Sequence, residues 1–175
     1  MANDQLIVNR VAESGLITID LEAWYPTEEP ASFDLKDYLY MGLVLREKEF
    51  RQALKNIDLE AYRHKRVAIY CSADAIVPVW AYMLAAAHVK PVAAAVHFCR
   101  PDQLDEAHYC RVIATLDVSP YHAQRVIIKG CSNKPVPVAA YVQLTERLRP
   151  VVKSLMYGEA CSNVPIFKAK TTDHG

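Results

Sequence analysis

Four of the five cysteines fall at nearly even intervals, at Cys71, Cys99, Cys131 and Cys161. Three of them close or directly follow apolar runs, RVAIYC, VAAAVHFC and RVIIKGC, that read as buried β-strands. In a βα-repeating protein the C-terminal edge of the sheet is where ligands bind. A thiol delivered there can act as a nucleophile or a ligand. Cys71 precedes a helix expected from Val77, and Cys131 precedes one expected from Pro137. The positive end of a helix dipole lowers a thiol pKa and makes thiolate more available.

A short phrase recurs around these thiols: CSAD at Cys71–Asp74, CSNKP at Cys131–Pro135 and CSNVP at Cys161–Pro165. Ser and Asn side chains bond to nearby backbone groups and stabilise turns. The candidate ligand-binding set is therefore Cys71, Asp74, Cys131, Ser132 and Asn133. The two thiols would meet the ligand, while Asp74, Ser132 and Asn133 orient or bond it. Beside this stands a packing role, because free cysteine behaves as a small hydrophobe. Cys99 and Cys110 read that way.

Metal chemistry is a further reading, with no ligand set assigned. No C-x-x-C pair exists, so ligands would have to converge from separate strand ends. A straight helix from Pro137 to Tyr157 would cover about 30 Å and carry Cys161 to the far edge of the sheet. Only a reversal at Pro150, or a neighbouring subunit, returns it. Among the histidines, His97 could partner Cys131 only through a direct hydrogen bond and an oxyanion site. Neither G-x-G-x-x-G nor a Walker loop occurs, which disfavours NAD and ATP, and G-x-S-x-G is absent too. No catalytic residue or cofactor is assigned.

The elements that must position these groups follow from periodicity. GLITIDLEAW, Gly15 to Trp24, alternates as a strand with one wetter face. YPTEEPASFD reads as a loop, after which Asp34 caps a short helix over Leu35 to Leu39. A helix is expected over about Leu45 to Asn56. Then come a strand at Val67–Cys71, a helix at Val77–His88, a strand at Pro91–Phe98, a helix at Asp102–Leu116 and a strand at Arg125–Lys129. The stretch from Pro137 to about Tyr157 reads as mostly helical, kinked or broken near Pro150, with Gly158 just past its end. NVPIFKAK could dock as a short edge strand. The sum is one α/β domain over residues 1–175, a mainly parallel sheet of about four to five strands with helices on both faces, and a tail that frays from about 169. Each βα step takes roughly 30 residues, and that length, rather than an internal duplication, accounts for the cysteine spacing.

In this chain of 175 residues, twenty Lys and Arg cancel twenty Asp and Glu. Whole-chain attraction to nucleic acid or an acidic membrane is thereby removed. Arg147, Arg149 and Lys153 form a local basic group that reads as a solvated helix face. The start shows neither a basic leader nor a sustained apolar stretch, and Ala75–Ala87 is too short and interrupted to span a bilayer. An odd cysteine count without export points to a reducing cytoplasm.

The phrases KGCSNKPVPVAAY, SLMYGEACSNVPIFK and YCSADAIVPVWAYM resemble an uncharacterised bacterial family, domain of unknown function 2480, over most of the chain. The resemblance implies a small soluble bacterial protein and carries no activity. In pattern alone the chain is also similar to anti-sigma-antagonist-like modules. Two function classes stay open: a small-molecule or anion site at the thiol-bearing edge, and a non-catalytic homodimeric module built on the apolar Val77–Ala87 helix and on Ile166 and Phe167.

Overall fold

The computed structural model describes residues 9–11, 15–130 and 132–170. The chain divides into two compact units, the first formed by Met1–Tyr25 with His108–Gly175 and the second by Pro26–Ala107. The tail beyond 170 lies outside the described residues.

The second unit holds strands β3 (Pro30–Asp34), β6 (Arg66–Tyr70) and β7 (Ala95–Phe98), all parallel in the order β3-β6-β7. A small hairpin, β4 (Leu39–Tyr40) with β5 (Val44–Leu45), stands beside helix α1 (Glu47–Lys55) in sequence. Helix α2 (Val79–Val89) links β6 to β7. The first unit orders its strands β1-β2-β8-β9-β10, from β1 (Asn9–Val11), β2 (Leu16–Asp20), β8 (Arg125–Lys129), β9 (Ser154–Glu159) and β10 (Ser162–Lys168). β2, β8 and β9 are mutually parallel, and antiparallel β1 and β10 flank them. Helix α4 (Val138–Leu148) links β8 to β9, and the unit boundary falls within α3 (Leu104–Ala114).

The α/β class and the mainly parallel pairing agree with the sequence reading, but the strands are shared between sheets of five, three and two rather than gathered in one. The reason is a repeat that the cysteine spacing had concealed. Arg66, Val67, Ile69, Val77, Pro78, Val79, Tyr82 and Pro91 recur in order as Arg125, Val126, Ile128, Val136, Pro137, Val138, Tyr141 and Pro150. The backbone repeats as well. Pro78 and Pro137 cap their helices with the same φ of −62° and ψ of 141°. Non-glycine residues take the left-handed region at His64 (φ 56°) and Ala123 (φ 57°). Each donates its N–H to a valine carbonyl after the helix, Val92 at 2.9 Å and Val151 at 2.8 Å. That bond offsets a conformation costing about 1–2 kcal/mol. The repeat sets Cys71 opposite Gly130 and Cys99 opposite Gly158, so it does not account for the cysteine spacing.

Each unit buries its own core. α2 turns Ala81, Ala85 and Val89 inward with Val67, Ile69, Phe33 and Phe50. α4 turns Ala140, Leu144 and Leu148 inward with Val126, Ile128, Leu155 and Tyr109. The four-residue spacing aligns these side chains on one stripe. The long helix expected to run to Tyr157 stops at Leu148. Pro150 cannot continue the ladder, and the chain turns to enter β9 parallel to β8. Gly158 accordingly lies within β9, not after a helix, at φ 117°, where an added Cβ would stand 2.7 Å from the Ser162 carbonyl.

Candidate functional site

Both units end their central strand in the recurring Cys-Ser loop, and in both the loop is held by a carboxylate from the preceding strand-and-turn. In the second unit β3 ends at Asp34, whose Oδ1 accepts the Lys36 N–H at 3.0 Å and so caps the 3-10 turn Leu35–Tyr38. The same oxygen accepts the Ser72 N–H, also at 3.0 Å. Partial burial pushes the Asp34 pKa up, but hydrogen bonds from Ser72, Lys36 and Tyr70 outweigh it and hold the carboxyl below its ordinary value. Cys71, half-buried, donates its thiol to the Ala73 carbonyl at 3.7 Å. Asp74 is exposed.

In the first unit Asp20 caps the corresponding turn, Leu21–Trp24, by accepting the Glu22 N–H at 3.0 Å. The loop here is held by Glu22, whose Oε1 accepts the N–H groups of Ser132 and Asn133, the latter at 3.0 Å. The Asn133 bond leads in lowering the Glu22 pKa, against a smaller opposing effect of burial, and Ser132 adds to it. Lys134 donates to the Glu22 carbonyl at 3.4 Å and stands over the Tyr25 ring. Lys129, at the end of β8, pairs with Asp20 at 3.4 Å and Glu159 at 3.5 Å. Amides that could receive an external anion thus hold the chain's own carboxylate.

The expected site set therefore divides. Cys71 and Asp74 belong to the loop after β6, Ser132 and Asn133 to the loop after β8, and Cys131 lies outside the described residues. Cys161 stands exposed in the turn after β9. Because β9 runs parallel to β8, that turn is at the same sheet edge as Ser132, which the straight-helix expectation placed it away from. Burial, with Asp102 adding, raises the pKa of Cys99 and so disfavours its thiolate. His108 meets the Trp24 carbonyl through Nε2 at 3.0 Å, a structural contact. Among the described residues no three His, Cys, Asp or Glu side chains group to hold a metal ion.

Glu22 and Asp34 were not in the expected set. Glu22 lies just past the alternating strand of ITIDLE, whereas Asp34 closes β3, a strand within a stretch that reads as a loop, and both units repeat an Asp-Leu pair there. That repetition was the available signal.

Next to the loop, the first unit carries a cleft of about 320 Å³. Ile128, Val136, Val138, Met156 and Ile166 line it together with Tyr141 and Tyr157. Those two rings meet edge to face at 5.7 Å, and the second unit repeats the pair as Tyr82 with Phe98 at 5.1 Å. Val79, Met83 and Phe98 are exposed, as are Met41 and Leu43 of the hairpin region, and a bridge sets Val44 beside Ile76.

The chain belongs to the family described as protein of unknown function (DUF2480), whose model matches residues 5–169. No curated protein and no solved structure matches it. Among the described residues no helix is long and apolar enough to cross a membrane.

Proposed function

We propose that this chain is a non-catalytic interaction module that pairs with a second copy of itself through the apolar face of α2 and the β4–β5 hairpin. The observation that carries this is the Val44–Ile76 bridge, which sets an exposed residue of the hairpin beside exposed Ile76 just ahead of α2. Ile76 is 90 % exposed, Phe98 78 % and Met83 67 %. The outer face of a helix in a protein that works alone is polar, and contiguous apolar patches beyond a few hundred Å² mark interaction surfaces. The duplication strengthens the point. Val79, Met83 and Phe98 have counterparts Val138, Val142 and Tyr157, and all six are exposed. A position free to be polar has no reason to be apolar in both units. Zero net charge leaves no long-range repulsion between copies.

Sedimentation over a concentration series tests this reading. The wild type should be dimeric at micromolar concentration, and I76K/M83E should be a folded monomer. A wild type that stays monomeric throughout removes the proposal.

A second reading, small-molecule binding at the C-terminal edge of the sheet, is supported by the cleft beside Tyr141 and Tyr157. Its volume suits a compact, mostly apolar ligand. Its described lining is apolar and aromatic with Thr145, which suits non-covalent binding. The free thiols of Cys71, Cys99 and Cys161 suit a reducing cytoplasm, and the family resemblance suits a bacterial one.

A further inference from the structure

The opposite edge of the first unit's sheet has a different chemistry. Arg125 opens β8, Ser154 opens β9, and Lys168 closes β10. Strand register sets Arg125 against Ser154 and Ser154 against Lys168, one row across three neighbouring strands. Lys153 directly precedes that row. Adjacent strands lie about 4.8 Å apart, so three cationic stems start within one small area. They border a cavity of about 410 Å³ whose apolar wall is Met156, Pro165 and Phe167, and among the described residues no carboxylate lines it. The Arg149 guanidinium lies over the Phe167 ring, 5.1 Å from its centroid.

Charge is therefore distributed unevenly along a chain of zero net charge. At the C-terminal edge Lys129 is matched by Asp20 and Glu159. At the N-terminal edge Lys153 and Lys168 form no ion pair with a described residue. The duplication shows what this place in the unit can hold. Arg66, the counterpart of Arg125, is buried and binds the Asp105 carboxylate at 2.8 Å. The counterpart of Lys153 in the second unit is Ala94, so that charge belongs to the first unit alone.

We propose that this cavity binds a small organic anion, a carboxylate or phosphate monoester on an apolar body. Lys153 and Lys168 hold the charged group, and the body rests on Phe167 and Met156. The proposal is independent of self-association.

Calorimetric titration with phenyl phosphate, benzoate, inorganic phosphate and benzyl alcohol tests it at low salt. Phenyl phosphate or benzoate should bind saturably, and added salt should weaken binding. Inorganic phosphate should bind at least about fivefold more weakly, since it lacks the buried apolar area. The K153Q/K168Q protein, altered only at exposed side chains, should keep its melting temperature and lose about tenfold in affinity. No saturable binding of either aryl anion at millimolar concentration overturns the proposal. So does undiminished affinity in the double variant, or equal binding of benzyl alcohol. Inorganic phosphate binding as tightly as phenyl phosphate overturns the role of the apolar wall.

Discussion

The Glu22 carboxylate accepts the Asn133 N–H at 3.0 Å, and Asp34 accepts the Ser72 N–H at the same distance. Two carboxylates that are not at equivalent positions thus do one job in the two units. Each ties the loop after the central strand back to the turn after its neighbour. The second unit uses the aspartate that ends its strand. The first unit engages the corresponding Asp20 with Lys129 and reaches the loop with Glu22 instead.

These bonds make a pH prediction. Both carboxyls have pKa values below their ordinary ones, so the folded state holds their protons less tightly than the unfolded chain does. Their stabilisation is complete above the ordinary carboxylate value and is lost as pH falls through the depressed one. Glu22→Gln should melt below the wild type at pH 7, and the gap should close on acidification. Thermal melts from pH 7 to pH 3 measure it; a gap independent of pH would show that the Glu22 charge is not the stabilising feature.

Arg66 and Asp105 form an ion pair whose side chains are 6 % and 37 % exposed. Asp105→Ala strands a buried guanidinium, and the expected cost is about 3 kcal/mol. R66M/D105A should be less damaging than Asp105→Ala alone, because no unpaired charge remains. Urea denaturation gives both values. If the double variant proves the weaker of the two, the arginine contributes through packing and its bond to the Glu28 carbonyl rather than through this pair.

Thiol reactivity should follow exposure and pKa. Cys161 is exposed, whereas Cys99 is half-buried with a raised pKa. Iodoacetamide at pH 7.5 should label Cys161 several-fold faster than Cys99. Peptide mapping at timed intervals checks this, and the reverse order would mean that the Cys99 loop opens readily.

Much of the secondary structure was legible because its causes are local. The strand Arg125–Lys129, the Asp34 cap and the break near Pro150 are all set by side chains within a few residues of the feature they control. β9 was misread for the same reason. SLMYGE follows a helical stretch and carries no period-two signal that outweighs it, so only pairing with β8 makes it a strand.

The amino-acid sequence by itself determined the α/β class, the break at Pro150 and the recurring Cys-Ser loop, since period, capping and ring closure act along the chain. The tertiary structure decided which strands pair and which charges meet. β2 finds β8 and β3 finds β6 across long stretches of chain, giving two alike units whose segments alternate in sequence. Arg66 and Arg125 occupy the same position in those units. One is buried against Asp105 while the other is exposed and lines a cavity, because their neighbours come from distant elements. Burial and partner choice are non-local, so arginines at matched positions are sealed in one unit and exposed in the other.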